Sequence, residues 1–264
     1  MDERLSMEEE VMAEPEWQIK SLKGWRAEVG LLAPGPGMFR EWEMIAPEGV
    51  RFSAALLGFE AHTVEVLKGM ANAAEIEAKK LNQTYKCDLI CFACTSGSFI
   101  GGPGYDRTLI DKIEKVSGSP ATTTSTCVLE IFRDMGIKKM ALVGPYPDST
   151  LKEEVKFFKE HGVETLYWKG LGLVKASDYW HFSKDPYSCY KLVREGAKAA
   201  PNADCVFATC MASPILGVVD YLEKEIGKPV ISSLSATLYG ILKKLGIPDP
   251  VYHYGEALTR PRVK

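Results

Sequence analysis

The chain contains two copies of one pattern, and this duplication limits its fold more than any single motif. Asp88-Leu-Ile-Cys-Phe-Ala-Cys94 returns as Asp204-Cys-Val-Phe-Ala-Thr-Cys210. In each copy an aspartate leads through five mostly apolar residues to a cysteine, and small or flexible residues follow. Gly30-Leu-Leu-Ala-Pro-Gly-Pro36 aligns without gaps on Ala141-Leu-Val-Gly-Pro-Tyr-Pro147, 111 positions later. Ser125-Thr-Cys-Val-Leu-Glu-Ile-Phe-Arg-Asp-Met-Gly-Ile137 parallels Ser235-Ala-Thr-Leu-Tyr-Gly-Ile-Leu-Lys-Lys-Leu-Gly-Ile247, 110 positions later. Both of these last segments open on a hydroxyl residue suited to cap a helix and close on Gly-Ile. A further helix is expected in each half, over Thr63 to Leu81 and over Thr150 to His161. Landmarks in one order at nearly constant offset mark two half-domains, about 27–137 and 138–247, related by a pseudo-twofold axis.

Short apolar runs alternating with helical patterns define an α/β chain with two Rossmann-like lobes, each built on a mainly parallel sheet. The expected division is a flexible extension over 1–24, a first lobe over 25–137 joined by about 235–264, and a second lobe over 138–234. In open α/β sheets, ligands bind beyond the carboxyl ends of the strands. The unusual residues collect at such ends: Pro34 to Gly37, Cys94 to Ser98, Thr122 to Thr126, Pro145 to Asp148, Cys210 to Ser213 and Ser232 to Ser235. The pseudo-twofold brings both sets to one interlobe cleft, which is the expected site.

Several function classes have no support. A net charge of −3 gives no electrostatic case for nucleic acid or an anionic membrane as partner. No apolar run reaches the roughly 18 residues that a membrane span needs. Residues 1–16 are acidic and lack the order of a signal peptide, so a cytoplasmic chain is expected. The 7 cysteines suit free thiols better than a disulfide framework. Cys91 and Cys94 fall on opposite faces of an apparent strand, which argues against a shared metal ion or a redox dithiol. No metal or cofactor is expected. His62, His161, His181 and His253 are scattered and are assigned to surface or core. Tyr179-Trp-His-Phe182, after a strand-like Gly170 to Val174, suits either a flap over the pocket or ordinary packing.

A free cysteine is most often a small buried hydrophobe. Matched strand-end positions set Cys94 and Cys210 apart from Cys91, Cys127 and Cys205. Backbone N–H groups and a helix N-terminus facing such a cysteine favour its thiolate and attract a substrate carboxylate. Tyr146, after the turn of the second half, is placed to donate to a bound carboxylate or enolate. Gly37 permits close approach of a substrate to the backbone, and Ser125 stands at the strand end that opens a helix.

At Ala93-Cys-Thr-Ser-Gly-Ser98, Thr122-Thr-Thr-Ser-Thr126, Gly144-Pro-Tyr146 and Cys210 the chain resembles the aspartate/glutamate racemase superfamily. It is most similar to the branch of maleate cis-trans isomerases and arylmalonate decarboxylases, over about residues 27–250. The resemblance implies a cofactor-independent enzyme acting on a small carboxylate, assembled as a homodimer or larger oligomer. It implies Cys94 as nucleophile and Cys210 as proton donor and acceptor. Thr95, Ser96, Tyr146 and the backbone at Met211 match positions that hold a carboxylate or enediolate. Decarboxylases of the branch keep only the second cysteine, so Cys94 points to isomerisation of a maleate-like acid. The alternatives are racemisation, decarboxylation or elimination at an α-carbon, and a cleft that binds an acid without turnover. Gly37 and Ala176-Ser-Asp178 stand where maleate isomerases carry asparagines, which separates the expected substrate from maleate itself.

Overall fold

The computed structural model describes residues 24–35 and 37–262. The expected extension over 1–24 lies outside them but for its last residue, as does Pro36. The first half runs β1 (Ala27–Ala33), α1 (Gly37–Ile45), β2 (Val50–Leu56), α2 (Val64–Tyr85), β3 (Leu89–Phe92), α3 (Thr95–Phe99), α4 (Tyr105–Ser117), β4 (Ala121–Thr123) and α5 (Thr124–Met135). The second runs β5 (Lys139–Gly144), α6 (Asp148–Glu160), β6 (Glu164–Gly170), α7 (Ala176–Phe182), α8 (Pro186–Ala199), β7 (Cys205–Ala208), α9 (Val219–Ile226), β8 (Val230–Ser232) and α10 (Ser233–Lys244). A short α11 (Glu256–Thr259) follows. Each half builds one four-stranded sheet, in the orders β2-β1-β3-β4 and β6-β5-β7-β8. Every pairing is parallel.

The cysteine strands β3 and β7 are apolar throughout because both of their faces are covered. Along β3, Leu89 and Cys91 enter a central core shared by the two halves, while Ile90 and Phe92 enter an outer core under α2 and α4. Along β7, Cys205 and Phe207 face the central core, while Val206 and Ala208 face α8. The matched aspartates do matched work. Asp88 Oδ2 accepts from the backbone of Glu28 at 2.8 Å. Asp204 Oδ2 accepts from Lys138 and Lys139 at 2.8 Å each. Each carboxylate thus ties the start of a cysteine strand to the central strand beside it.

The helices depart from the expected pairing. Thr63 does cap α2, accepting from Val66 N at 3.3 Å. By sheet position, however, the counterpart of α2 is α8, since each precedes the cysteine strand of its half. The helix at Asp148–Glu160 corresponds to α1. Edge strand β2 escaped the sequence pattern because only Phe52 and Ser53 of its residues are fully buried, so no clear apolar run marks it. Leu171 to Val174 form a loop after β6, turning at Gly172, whose φ is 71°.

Helices α5 and α10 pack against each other across the pseudo-twofold. Their caps lie two or three residues ahead of the expected serines. Thr123 accepts from Thr126 N, and Ser232 forms a reciprocal box with Ser235. Contact is so close at Gly240 that a Cβ there would stand 2.4 Å from Cys127 Sγ. Tyr239 on α10 donates to Asp134 on α5 at 2.7 Å.

Candidate active site

Strand ends from both halves enclose a cavity of about 530 Å³. Pro34, Gly35, Gly37, Cys94, Thr95 and Ser96 line it from the first half, and Tyr146, Cys210 and Met211 from the second. Ser125 is not on the wall. It lies one layer behind, its hydroxyl 2.7 Å from Ser98 Oγ and 3.4 Å from the carbonyl of Thr95. There it braces the Cys94 loop, buried and outside the cavity lining.

Cys94 is the N-cap residue of α3, and its sulfur accepts from Gly97 N at 3.4 Å. No helix begins at Cys210. It sits instead in a tight turn with φ 87°, in the left-handed region that β-carbon sterics disfavour. Its sulfur accepts from Ala212 N at 3.4 Å. Ser233, the first residue of α10, joins the two sides. Its hydroxyl accepts from Cys210 N at 3.0 Å and from Thr95 Oγ1 at 2.9 Å. The position of one thiol is thereby coupled to the loop of the other. Met211 is held by Thr124 and Thr237, whose hydroxyls donate to its sulfur at 3.7 and 3.8 Å.

Sequence favoured thiolates at both positions, and the surroundings decide otherwise. Burial pushes Cys94 up to about 11, although Gly97 N–H and Ser96 pull it down. Burial pushes Cys210 up to about 12 against Ala212 N–H and the Tyr146 hydroxyl. One backbone donor per sulfur does not repay the loss of water around a thiolate. Both are thiols at neutral pH. Tyr146 is itself buried and holds its proton well above the ordinary range.

His62, assigned to surface or core, is buried and on the cavity wall. Its Nε2 lies 3.1 Å from Ser96 Oγ, and its Nδ1 lies 3.4 Å from Thr150 Oγ1 on α6. Tyr179 stacks on the ring at 5.6 Å and Tyr146 leans on it at 4.6 Å. Burial lowers His62 to about 4, so the ring is neutral. The missed signal was its position: it follows β2, at a strand end of the kind that carries ligands, but β2 was not visible. Tyr179 and Trp180 of α7 also line the cavity, which settles the flap-or-packing question as both. The antiparallel bridge Ala61↔Lys175 pins that segment to the first half. Among the described residues, no group of three His, Cys, Asp or Glu is arranged to hold a metal ion. None of the described helices is long and apolar enough to cross a membrane.

Two four-stranded parallel lobes, with a cysteine of each facing one cleft, define an enzyme of the aspartate/glutamate racemase superfamily. Within it, the sequence model described as arylmalonate decarboxylase matches residues 29–258, and the chain belongs to that family. It is 23% identical over 247 residues to a maleate isomerase of Geobacillus stearothermophilus, covering 88% of this chain and 96% of that one. It is 25% identical over 195 residues to an arylmalonate decarboxylase of Bordetella bronchiseptica, covering 74% and 80%. A double mutant of arylmalonate decarboxylase in the liganded form shares the fold with a TM-score of 0.82 and 22% identity, over 88% of this chain and 98% of that one. A Nocardia farcinica maleate cis-trans isomerase mutant carrying a covalently bound succinylcysteine intermediate has a TM-score of 0.78 and 22% identity, over the same 88% and 98%.

Proposed function

We propose that the protein is a cofactor-independent isomerase that acts on a maleate-like carboxylic acid through Cys94 and Cys210. The observation that carries this reading is the presence of two thiols, one from each lobe, on the wall of one cavity. The covalent succinylcysteine of the Nocardia relative supports thiol addition as the chemistry. In this scheme Cys94 first releases its proton to solvent, its thiolate adds to an alkene carbon, and the π electrons take the proton of Cys210 at the neighbouring carbon. The former double bond turns as a single bond. Cys210 thiolate then removes that proton, the C–S bond breaks, and the trans acid leaves.

The energetics allow it. Ionising a thiol of pKa about 11 at neutral pH costs roughly 5 kcal/mol. A turnover of about 10 per second leaves a barrier of roughly 16 kcal/mol in which to place that cost. His62 is too weak a base to take the proton from Cys94. Its neutral ring is suited instead to orient Ser96, whose hydroxyl lies 4.0 Å from Cys94 Sγ. The substrate is an acid larger than maleate, because Met38, Met44, Phe59, Tyr179 and Trp180 give the cavity a wide apolar wall.

The same pair of thiols supports racemisation as a second reading, one removing an α-proton and the other returning it to the opposite face. NMR in deuterated buffer separates the two with a panel of maleate, alkyl- and aryl-substituted maleates, malonates and chiral α-substituted acids. Cis-to-trans conversion of a substituted maleate is the expected result. Deuterium entering only a chiral α-carbon would replace isomerase by racemase, and loss of CO₂ would replace it by decarboxylase. No change in any acid would leave a binding protein.

A further inference from the structure

Behind Cys210 lies a carboxyl that the reaction above does not use. Glu154 on α6 has 0% of its surface exposed. Its Oε1 accepts from Thr209 Oγ1 at 2.6 Å, and Thr209 immediately precedes Cys210. Its Oε2 is buried without a hydrogen-bond partner. An enclosed carboxylate with one oxygen unpaired is costly, whereas the neutral acid is tolerated far better. Burial accordingly pushes Glu154 up to about 8, opposed only by the Thr209 bond. The titratable groups that face it are Tyr146 and Cys210, and a charge on Glu154 raises the proton affinity of both. No cation answers that charge among the described residues. Tyr167 and Lys169 of β6 turn to Glu195, and α3 carries no titratable side chain. The helix in the equivalent place of the first lobe, α1, encloses Met38 and Trp42, and its carboxyl Glu41 is only half-buried, on the cavity wall, where burial pushes it up to about 7.

We propose that Glu154 is a positioning residue for Cys210: as a neutral acid it leaves the second thiol able to give and retake a proton, and its ionisation disables that thiol. The proposal rests on the proton-transfer role given to Cys210 above. An adjacent carboxylate favours S–H over S⁻, so Cys210 yields its proton less readily. The same charge repels an incoming substrate carboxylate. Glu154 does not reach the cavity wall, so it acts only through its neighbours.

Glu154→Gln and Glu154→Ala test this against the wild type over a pH series. Wild-type turnover rises with pH as Cys94 ionises and is expected to level off above an ionisation near pH 8. The Gln variant, which mimics the neutral acid, is expected to stay within a few-fold of wild type at neutral pH and to keep rising through pH 8. The Ala variant, which leaves the Thr209 hydroxyl without its acceptor, is expected to lose about tenfold at every pH. Two readouts need no substrate. Infrared difference spectra of wild type against the Gln variant should show the carbonyl stretch of a protonated carboxyl at neutral pH, vanishing as pH rises through about 8. Above that pH, iodoacetamide should alkylate Cys210, followed by mass spectrometry, about tenfold faster in the Gln variant. A missing carbonyl band, equal alkylation rates, or the same levelling-off in the Gln variant would overturn the proposal. If the band and the alkylation difference appear but no acid in the panel turns over, the isomerase reading fails and the control of Cys210 by Glu154 stands.

Discussion

The two lobes share a strand order and a thiol at the same strand end, yet they surround those thiols differently. Cys94 caps a short helix and is backed by Ser96 and a neutral imidazole. Cys210 is held at φ 87° in a turn and is backed by a phenol and a buried carboxylic acid. Duplication fixes where the backbone delivers a side chain, because the sheet order and the Asp88 and Asp204 ties are common to both halves. It does not fix what stands behind that side chain, which depends on helices free to drift in length and register. The divergence suits the two unequal tasks proposed above, attack by one sulfur and proton exchange by the other.

The largest expected effect breaks this comparison directly. Cys94→Ala and Cys210→Ala should each lower turnover by about 10³-fold or more while circular dichroism stays native. The two losses should differ in kind. With Cys210→Ala, Cys94 is still present to form an adduct with a substituted maleate, visible by mass spectrometry of intact protein. With Cys94→Ala no adduct should form. Adducts in both variants, or in neither, would make the thiols equivalent and remove the assignment of roles.

The next effect is on stability, and Glu154 and His62 should show opposite signs. Glu154 holds its proton up to about pH 8 when folded, against 4.5 for an ordinary carboxyl. Between those values the unfolded chain releases a proton that the folded chain keeps, so stability declines as pH rises, by on the order of 5 kcal/mol across the window. His62 stays neutral down to about 4 when folded, against an ordinary 6.5. Between those values the unfolded chain gains a proton that the folded chain refuses, so stability declines as pH falls, by on the order of 3 kcal/mol. Urea unfolding of Glu154→Gln should remove the Glu154 share of the first dependence, leaving that of Glu41, which burial pushes up to about 7, and His62→Gln should remove the second. A slope unchanged in either variant would assign that pH sensitivity to other groups.

These two residues also show what the sequence could not convey. The two parallel lobes and the meeting of Cys94, Thr95, Ser96, Tyr146, Cys210 and Met211 on one cavity were legible because repetition and strand-end position mark them along the chain, whereas the strand order was not. His62 was not, because its edge strand is half exposed and carries no clear apolar run. Glu154 sits in Lys152-Glu-Glu-Val-Lys156, which reads as a solvated helix face. Only the close approach of α6 to the Thr209 strand end encloses one of its two glutamates. Thiolate character was misjudged for the same reason: sequence displays the dipoles near a cysteine but not how much water it loses.

A smaller effect tests the seam between the lobes. Gly240→Ala would place its Cβ 2.4 Å from Cys127 Sγ and 3.2 Å from Cys127 Cα. Moving two packed helices apart should cost about 1–3 kcal/mol in urea unfolding. Cys127→Ala in the same chain should recover only part of the loss, because the Cβ of Cys127 already stands 2.7 Å away. Full recovery would mean that sulfur volume, and not helix separation, sets the fit.

The smallest expected effect concerns Ser125, placed by its sequence position in the substrate-binding set and by the structure behind the wall. Its hydroxyl bonds Ser98 and the Thr95 carbonyl, both beneath the Cys94 loop. Losing those bonds in Ser125→Ala should cost about 1 kcal/mol of stability. A side chain that touches substrate would show its loss in KM. One that braces the loop holding Cys94 and Thr95 should instead lower kcat modestly and leave KM near the wild-type value. A large rise in KM would return Ser125 to the cavity wall and show that the loop opens toward it when substrate binds. Because Thr95 also donates to Ser233, which holds Cys210, a shift of this first-lobe brace should reach the second-lobe thiol as well.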